Sequence, residues 1–124
     1  MTTISIMIEG QDGLTWPRWK RLAEEVERLG YAGLFRSDHF TNSEPPDKES
    51  LELMISLAYL ASGTSRIRFG SLVAPFSFRD PALLARQARG FSTARSSSAA
   101  VNVTKGMRQR MAVLTAFELA ATMR

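Results

Sequence analysis

The stretch Leu29-Gly30-Tyr31-Ala32-Gly33-Leu34-Phe35-Arg36-Ser37-Asp38-His39-Phe40 decides the architecture. A glycine free to take positive φ closes a helical pattern. An apolar run begins almost at once and stops at a polar pair, Asp38-His39. So short a passage from helix to buried strand is the signature of an α/β unit. Toward the N-terminus, Trp19, Leu22, Ala23, Val26 and Leu29 recur at helical spacing, with Arg18, Arg21, Glu24, Glu25 and Arg28 on the other faces. Thr15 is the predicted N-cap, and Pro17 suits the first turn, where its missing N–H costs nothing. Residues 3–8 are β-branched and apolar and predict a first strand, followed by the polar loop Glu9-Gly10-Gln11-Asp12-Gly13.

Toward the C-terminus the alternation continues. Residues 41–48, with Pro45-Pro46, read as a loop. Asp47 or Ser50 is the predicted cap of a second helix with apolar positions Leu51, Met54, Ile55, Leu57, Ala58 and Ala61. Ser62-Gly63-Thr64-Ser65 breaks it, residues 67–73 predict a third strand, and Asp80-Pro81 is a cap-plus-first-turn signal for a third helix over residues 82–88. The order β-α-β-α-β-α implies parallel strands joined by right-handed crossovers. A doubly wound sheet and a (β/α)8 barrel both begin this way. No Gly-x-Gly-x-x-Gly follows the first strand, which weighs against a nucleotide-binding doubly wound fold, and there is no P-loop.

The 124 residues, 44% apolar and 23% charged, suffice for one globular core. No apolar run reaches the roughly 18 residues of a membrane span. The N-terminus lacks a signal-peptide pattern, and a cytoplasmic location is expected. The absence of cysteine excludes disulfides, thiolate metal sites and cysteine nucleophiles, and a single histidine excludes a multi-histidine metal site within one chain. Charge is uneven: residues 1–88 carry ten Lys/Arg against eleven Asp/Glu, whereas residues 89–124 carry six against one. Residues 91–100 are small, polar and biased in composition, residues 101–103 can form a short strand, and Met107, Met111, Leu114, Phe117 and Ala121 have helical spacing. The reading therefore divides the chain into an α/β part, 1–88, and an atypical basic tail, 89–124. Such a tail can serve an acidic partner or have a separate origin; no aromatic-interleaved basic motif supports nucleic-acid binding.

Sites in parallel α/β folds lie at the carboxyl ends of the strands. That rule selects Glu9 and Gln11, then Asp38 and His39, then residues 73–79. An imidazole can donate, accept or stack beside a ring, and a neighbouring carboxylate can tune it. The alternative is a loop-capping Asp38 and a partly buried structural His39. Glu9 and Gln11 line a small-molecule pocket or belong to a solvated turn. Trp16 and Trp19 can stack on a ligand, although Trp19 lies on the apolar stripe and reads as core. Arg79 meets a phosphate or is a solvated charge.

Taken together and in order, Gly10-Gln11-Asp12-Gly13-Leu14-Thr15-Trp16, the stretch from Leu29 to Phe40, Arg66-Ile67-Arg68-Phe69-Gly70-Ser71-Leu72-Val73, Asp80-Pro81 and Leu84-Ala85-Arg86-Gln87-Ala88 resemble the luciferase-like monooxygenase superfamily. The resemblance covers residues 3–88. It implies the N-terminal part of a TIM-type (β/α)8 barrel, about three βα units, binding coenzyme F-420 (a deazaflavin) or FMN at its carboxyl face. The Asp-His pair is similar to that of the deazaflavin branch, where it lies beside the ring. The resemblance also implies a non-proline cis peptide around Leu72-Val73-Ala74, supporting one face of the ring. Asp38, His39, Leu72, Val73 and Ala74 are then the expected coenzyme contacts, with His39 the expected acid/base partner. The implied chemistry is hydride transfer to or from a small organic substrate, or, with FMN, monooxygenation.

A complete barrel of this type takes about 250 residues. After residue 88 the family pattern stops, and the tail reads as an out-of-frame or otherwise replaced C-terminus. An open three-strand sheet leaves an unpaired edge that self-association, a partner fragment or the tail can cover. Two further readings follow: a non-catalytic remnant of the family, and a binding module that uses the basic tail.

Overall fold

A computed structural model describes residues 3–75, 77–94, 102–104 and 114–115 of the chain. Strand β1 (Ser5–Ile8) leads to helix α1 (Trp16–Arg28), strand β2 (Gly33–Arg36), helix α2 (Leu53–Gly63), strand β3 (Arg68–Ser71), the short strand β4 (Ala74–Pro75) and helix α3 (Pro81–Ala94). Two short strands follow, β5 (Asn102–Thr104) and β6 (Leu114–Thr115). The first three strands form one parallel sheet in the order β1-β2-β3. β5 pairs parallel to β4 and antiparallel to β6. The helical spacing read over residues 107–123 falls mostly outside the described residues; at Leu114–Thr115 pairing with β5 replaces it, because a ladder partner outweighs an apolar period in so short a segment.

Three of the helix signals act as read. Thr15 accepts from the Arg18 N–H at the start of α1, and Asp80 accepts from the Leu83 N–H at 2.8 Å at the start of α3. Gly30, at φ 81°, turns the chain after α1, a conformation that costs an L-residue with a side chain about 1 kcal/mol or more. The α2 start differs from expectation. Its cap is Glu52, whose carboxylate accepts from the Ile55 N–H at 2.7 Å, and not Asp47 or Ser50. Leu53 and Leu60 are fully buried there while Ile55 is exposed, because α2 is apolar on nearly all sides and its neighbours decide which face is covered.

Alternation along each strand divides the sheet. Ile6, Leu34 and Phe69 are register partners. Leu34 and Phe69 are fully buried in a core with Trp19, Ala23 and Val26 of α1, Leu53, Leu57 and Leu60 of α2, and Leu84 and Phe91 of α3. Trp19, as expected for core, is completely buried, and its indole N–H donates to the Ser56 carbonyl at 2.9 Å, joining α1 to α2. On the opposite face Met7 pairs in register with Phe35, and Met7 is exposed. Helices on one face and parallel strands in unbroken sequence are the wall of a TIM-type barrel. Among the described residues, no helix is long and apolar enough to cross a membrane. Helix α3 runs without interruption through the charge break at residue 89.

The amino end of β3 is fastened to α1 by one carboxylate. Glu27 accepts from the backbone N–H groups of Ser65 (2.9 Å), Arg66 (2.5 Å) and Ile67 (3.1 Å), while the Arg66 guanidinium donates to the Glu27 carbonyl. Burial opposes the charge on Glu27, but these backbone donors outweigh it and hold its pKa below the ordinary value of 4.5. A depressed folded-state pKa contributes stability that is complete above the unfolded value and is lost as pH falls through the folded one. Glu27→Gln is therefore expected to lower stability at pH 7 by roughly 1 kcal/mol, the site being partly open to water. Thermal melts at pH 7 and pH 3 check this: the gap between wild type and variant should narrow at pH 3, and a gap of equal size at both would contradict the role of the charge.

Candidate functional site

The three parallel strands end level with one another. Ile8, Arg36 and Ser71 are register partners, the Ser37 N–H donates to the Ile8 carbonyl at 3.1 Å, and the Leu72 N–H donates to the Arg36 carbonyl at 2.8 Å. Residues 9–11, 37–40 and 72–73 thus leave the sheet at a common carboxyl edge, where the dipoles and loops of parallel folds collect ligands.

Just inside that edge lies a layer of buried polar side chains: Arg36, Ser37, Asp38, Ser56 and Ser71. Arg36 has no exposed surface. Its Nε donates to the Ser37 carbonyl (3.1 Å), Nη1 to Ser56 Oγ (3.0 Å) and Nη2 to the Leu51 carbonyl (2.8 Å). Burial pushes its pKa down, opposed by the charges of Asp38 and Glu52. Gly10 leaves the room this guanidinium needs, since a Cβ there would sit 2.2 Å from Arg36 Nη2. The Gly10 N–H donates to Ser37 Oγ (2.9 Å), and Ser37 Oγ donates to Gln11 Oε1 (3.3 Å). Gln11 is accordingly a partner of the β2 end as well as a half-buried loop residue, whereas Glu9 is exposed.

Asp38 and His39 part company. Asp38 is only 2% exposed, and its two oxygens accept from Arg79 Nε and Nη2 at 2.6 and 2.7 Å. Arg79 Nη2 also donates to Glu52 Oε1 at 2.6 Å. The pairing with Asp38, and more weakly that with Glu52, raises the pKa of Arg79 against the opposing effect of burial. Arg79 is therefore neither a solvated charge nor a free anion-binding group: its side chain is 13% exposed and joins three segments. Sequence reading missed this because Asp38 and Arg79 lie 41 residues apart, and no local pattern marks a pair at that distance. His39 is exposed rather than a partly buried structural histidine, and its carbonyl accepts from Ser50 Oγ at 3.0 Å. Among the described residues no group hydrogen-bonds its imidazole.

Beside His39, Phe40 and Phe78 stack with ring centroids 5.5 Å apart and planes inclined by 29°, both about half exposed. Phe78 precedes Arg79 as Phe40 follows Asp38 and His39, so the ion pair brings the two rings together. The Leu72–Val73 peptide bond is cis, at the place the family resemblance implied; the Pro45–Pro46 bond is also cis. Leu72 is exposed and Val73 half-buried, whereas Ala74 is fully buried in the hydrophobic core. Trp16, at the start of α1, packs edge-on against Tyr59 of α2. Among the described residues no group of three or more His, Asp or Glu is placed to hold a metal ion.

A family model described as luciferase-like monooxygenase matches residues 2–113. Comparison with curated proteins gives no match. Among solved structures, the chain resembles a coenzyme F-420-dependent tetrahydromethanopterin reductase from Methanopyrus kandleri (18% identity, 82% of this chain, 26% of that one, TM-score 0.66). It also resembles an F-420-dependent secondary alcohol dehydrogenase in complex with an F-420-acetone adduct (13%, 82% and 31%, TM-score 0.70). A third is the oxygenating constituent of 3,6-diketocamphane monooxygenase from Pseudomonas putida in complex with FMN (16%, 86% and 31%, TM-score 0.64). The chain spans roughly a quarter to a third of the length of these structures, and at such identities the likeness is one of fold.

The packing of Gly10 against Arg36 is directly testable. Arg36 cannot withdraw without giving up acceptors just after β2, within α2 and just before α2, so Gly10→Ala is expected to cost about 2 kcal/mol as an overpacked core does. The midpoint of a urea unfolding curve reads it; an unchanged midpoint would refute the close approach.

Proposed function

The chain belongs to the luciferase-like monooxygenase family, and on that premise we propose that its carboxyl edge forms one side of the coenzyme site of an oxidoreductase barrel, with coenzyme F-420 as the ligand and FMN as the alternative. The observation that carries the proposal is the common level at which β1, β2 and β3 end, with His39 exposed after β2, Leu72 exposed after β3, and Phe40 stacked on Phe78. The residues fit a flat, partly polar ring. Leu72 and the phenyl groups offer apolar surface, and the His39 imidazole offers a hydrogen-bonding group that no described neighbour occupies.

A bound deazaflavin supplies two-electron transfer to or from a small organic substrate; FMN would supply oxygenation. His39 then orients the ring edge and can hold or release a proton there. Asp38, buried against Arg79, would act from the preceding position, and Leu72 and Val73 would lie against such a ring and exclude water. Gln11, tied to Ser37, borders the approach from β1, with Glu9 nearer solvent. The neighbours that carry F-420 and FMN in their descriptions support both coenzymes, and the Asp38-His39 sequence favours F-420. Substrate and overall activity belong to the proposal, since the chain spans only part of the structures it matches.

Titration of the full chain with F-420, and separately with FMN, followed by ligand fluorescence, tests this reading. Saturable binding of F-420, weakened about tenfold in His39→Ala by loss of one hydrogen bond to a polar ring, is the expected result. Saturable binding of FMN alone would move the site to the FMN branch. Failure of both ligands to saturate would sink the proposal.

A further inference from the structure

The proposed reading gives roles to the residues at the surface of the edge and none to Arg79. Arg79 makes three charge-assisted hydrogen bonds, two to Asp38 and one to Glu52. Its partners come from different parts of the chain. Asp38 follows β2 and immediately precedes His39; Glu52 is the cap of α2, bonded to the Ile55 N–H; Arg79 itself lies between β4 and α3. A planar guanidinium that meets one carboxylate with a two-pronged fork fixes both distance and orientation, which a single contact does not. Arg36, buried one residue before Ser37, holds the backbone on the other side of Asp38. The chain entering His39 is thus clamped before the imidazole, and Ser50 bonds the His39 carbonyl after it.

We propose that Arg79 is a positioning residue: through its fork on Asp38 and its third bond to Glu52 it fixes where His39 and Phe40 stand at the coenzyme edge, and it commits Asp38 to that task in place of any direct partnership with His39. The role of His39 toward a coenzyme rests on the function proposed above; the clamp on His39 does not. The Phe40–Phe78 stack follows from the same clamp, because each ring is within two residues of one end of the ion pair. A lysine at this position would keep the charge but lose the fork.

His39 is the only histidine in the chain, so its ring C–H resonances report its surroundings without overlap from another imidazole. The experiment compares these resonances, and F-420 affinity, in full-length wild type, Arg79→Lys, Arg79→Ala and the exposed-arginine control Arg28→Ala, with far-UV circular dichroism to establish that each is folded. The expected result is a displaced His39 signal in both Arg79 variants and none in the control. F-420 affinity should fall about tenfold in Arg79→Ala, the scale of one charged hydrogen bond. In a His39→Ala background the same Arg79→Ala change should cost less than about twofold, because a residue that acts through His39 has nothing left to act on. A merely structural role would lower the melting temperature, leave the His39 signal of the folded protein in place and add fully to His39→Ala. If Arg79→Ala does not fold, Arg79→Lys decides by the same criteria. If wild type binds no F-420, the proposed function fails separately, and an unmoved His39 signal in a folded Arg79 variant still overturns the positioning role.

Discussion

A cation with no contact with water sits at the end of the central strand, and its surroundings are arranged to accept its protons. Burying an unpaired guanidinium would cost several kcal/mol, so Arg36 persists only with acceptors in place. These come from Ser37 in its own strand end, from Leu51 before α2 and from Ser56 within α2. Each demand places a different element. The second residue after β1 must be small, which makes position 10 glycine; α2 must present Ser56 toward β2; and the chain ahead of α2 must turn a carbonyl inward. Nearby negative charge from Asp38 and Glu52 offsets the rest, and those two carboxylates in turn require Arg79. The carboxyl edge is therefore built on an alternating series of charges, and the hydrophobic core beneath it fixes only the strand and helix bodies.

This division explains what the sequence could disclose. Strands, helices and their order were legible because apolar periodicity is a local property: Trp19 and Val26 of α1, or Phe69 of β3, announce a buried face through residues a few positions away. Thr15, Gly30 and Asp80 were legible for the same reason, since a cap or a positive-φ turn acts within four residues. Glu52 was passed over as the cap of α2 because Asp47 and Ser50 are better cap formers by type; its additional bond to Arg79, 27 residues away, gives the position a reason that propensity cannot supply.

The candidate site was legible in its members and not in their arrangement. Adjacency of Asp38 and His39 suggested a working pair, yet the two side chains serve different environments, one buried against Arg79 and one at the surface. Arg79 looked like an ordinary loop cation because the residue that defines it lies across the edge of the sheet. Ala74 is expected at the edge with Leu72 and Val73 because the family resemblance implies a cis peptide among the three, and in the fold Leu72 is exposed while Ala74 is buried in the core. Glu27 has the same character at the opposite end of the sheet: in sequence it is one of several helix acids, and in the fold it gathers three successive backbone donors.

Helix α3 gives the change of composition at residue 89 an unexpected setting. The helix begins before the break and ends after it, and Phe91, beyond the break, meets Phe69 of β3 edge-on at 6.3 Å. Composition and packing therefore partition the chain at different places. Residues on both sides of the break share one hydrophobic interface, where a wrong size or polarity is penalised at once. Which substitutions this part of α3 tolerates is therefore set by the core it packs on, and not by the change of charge that runs through it.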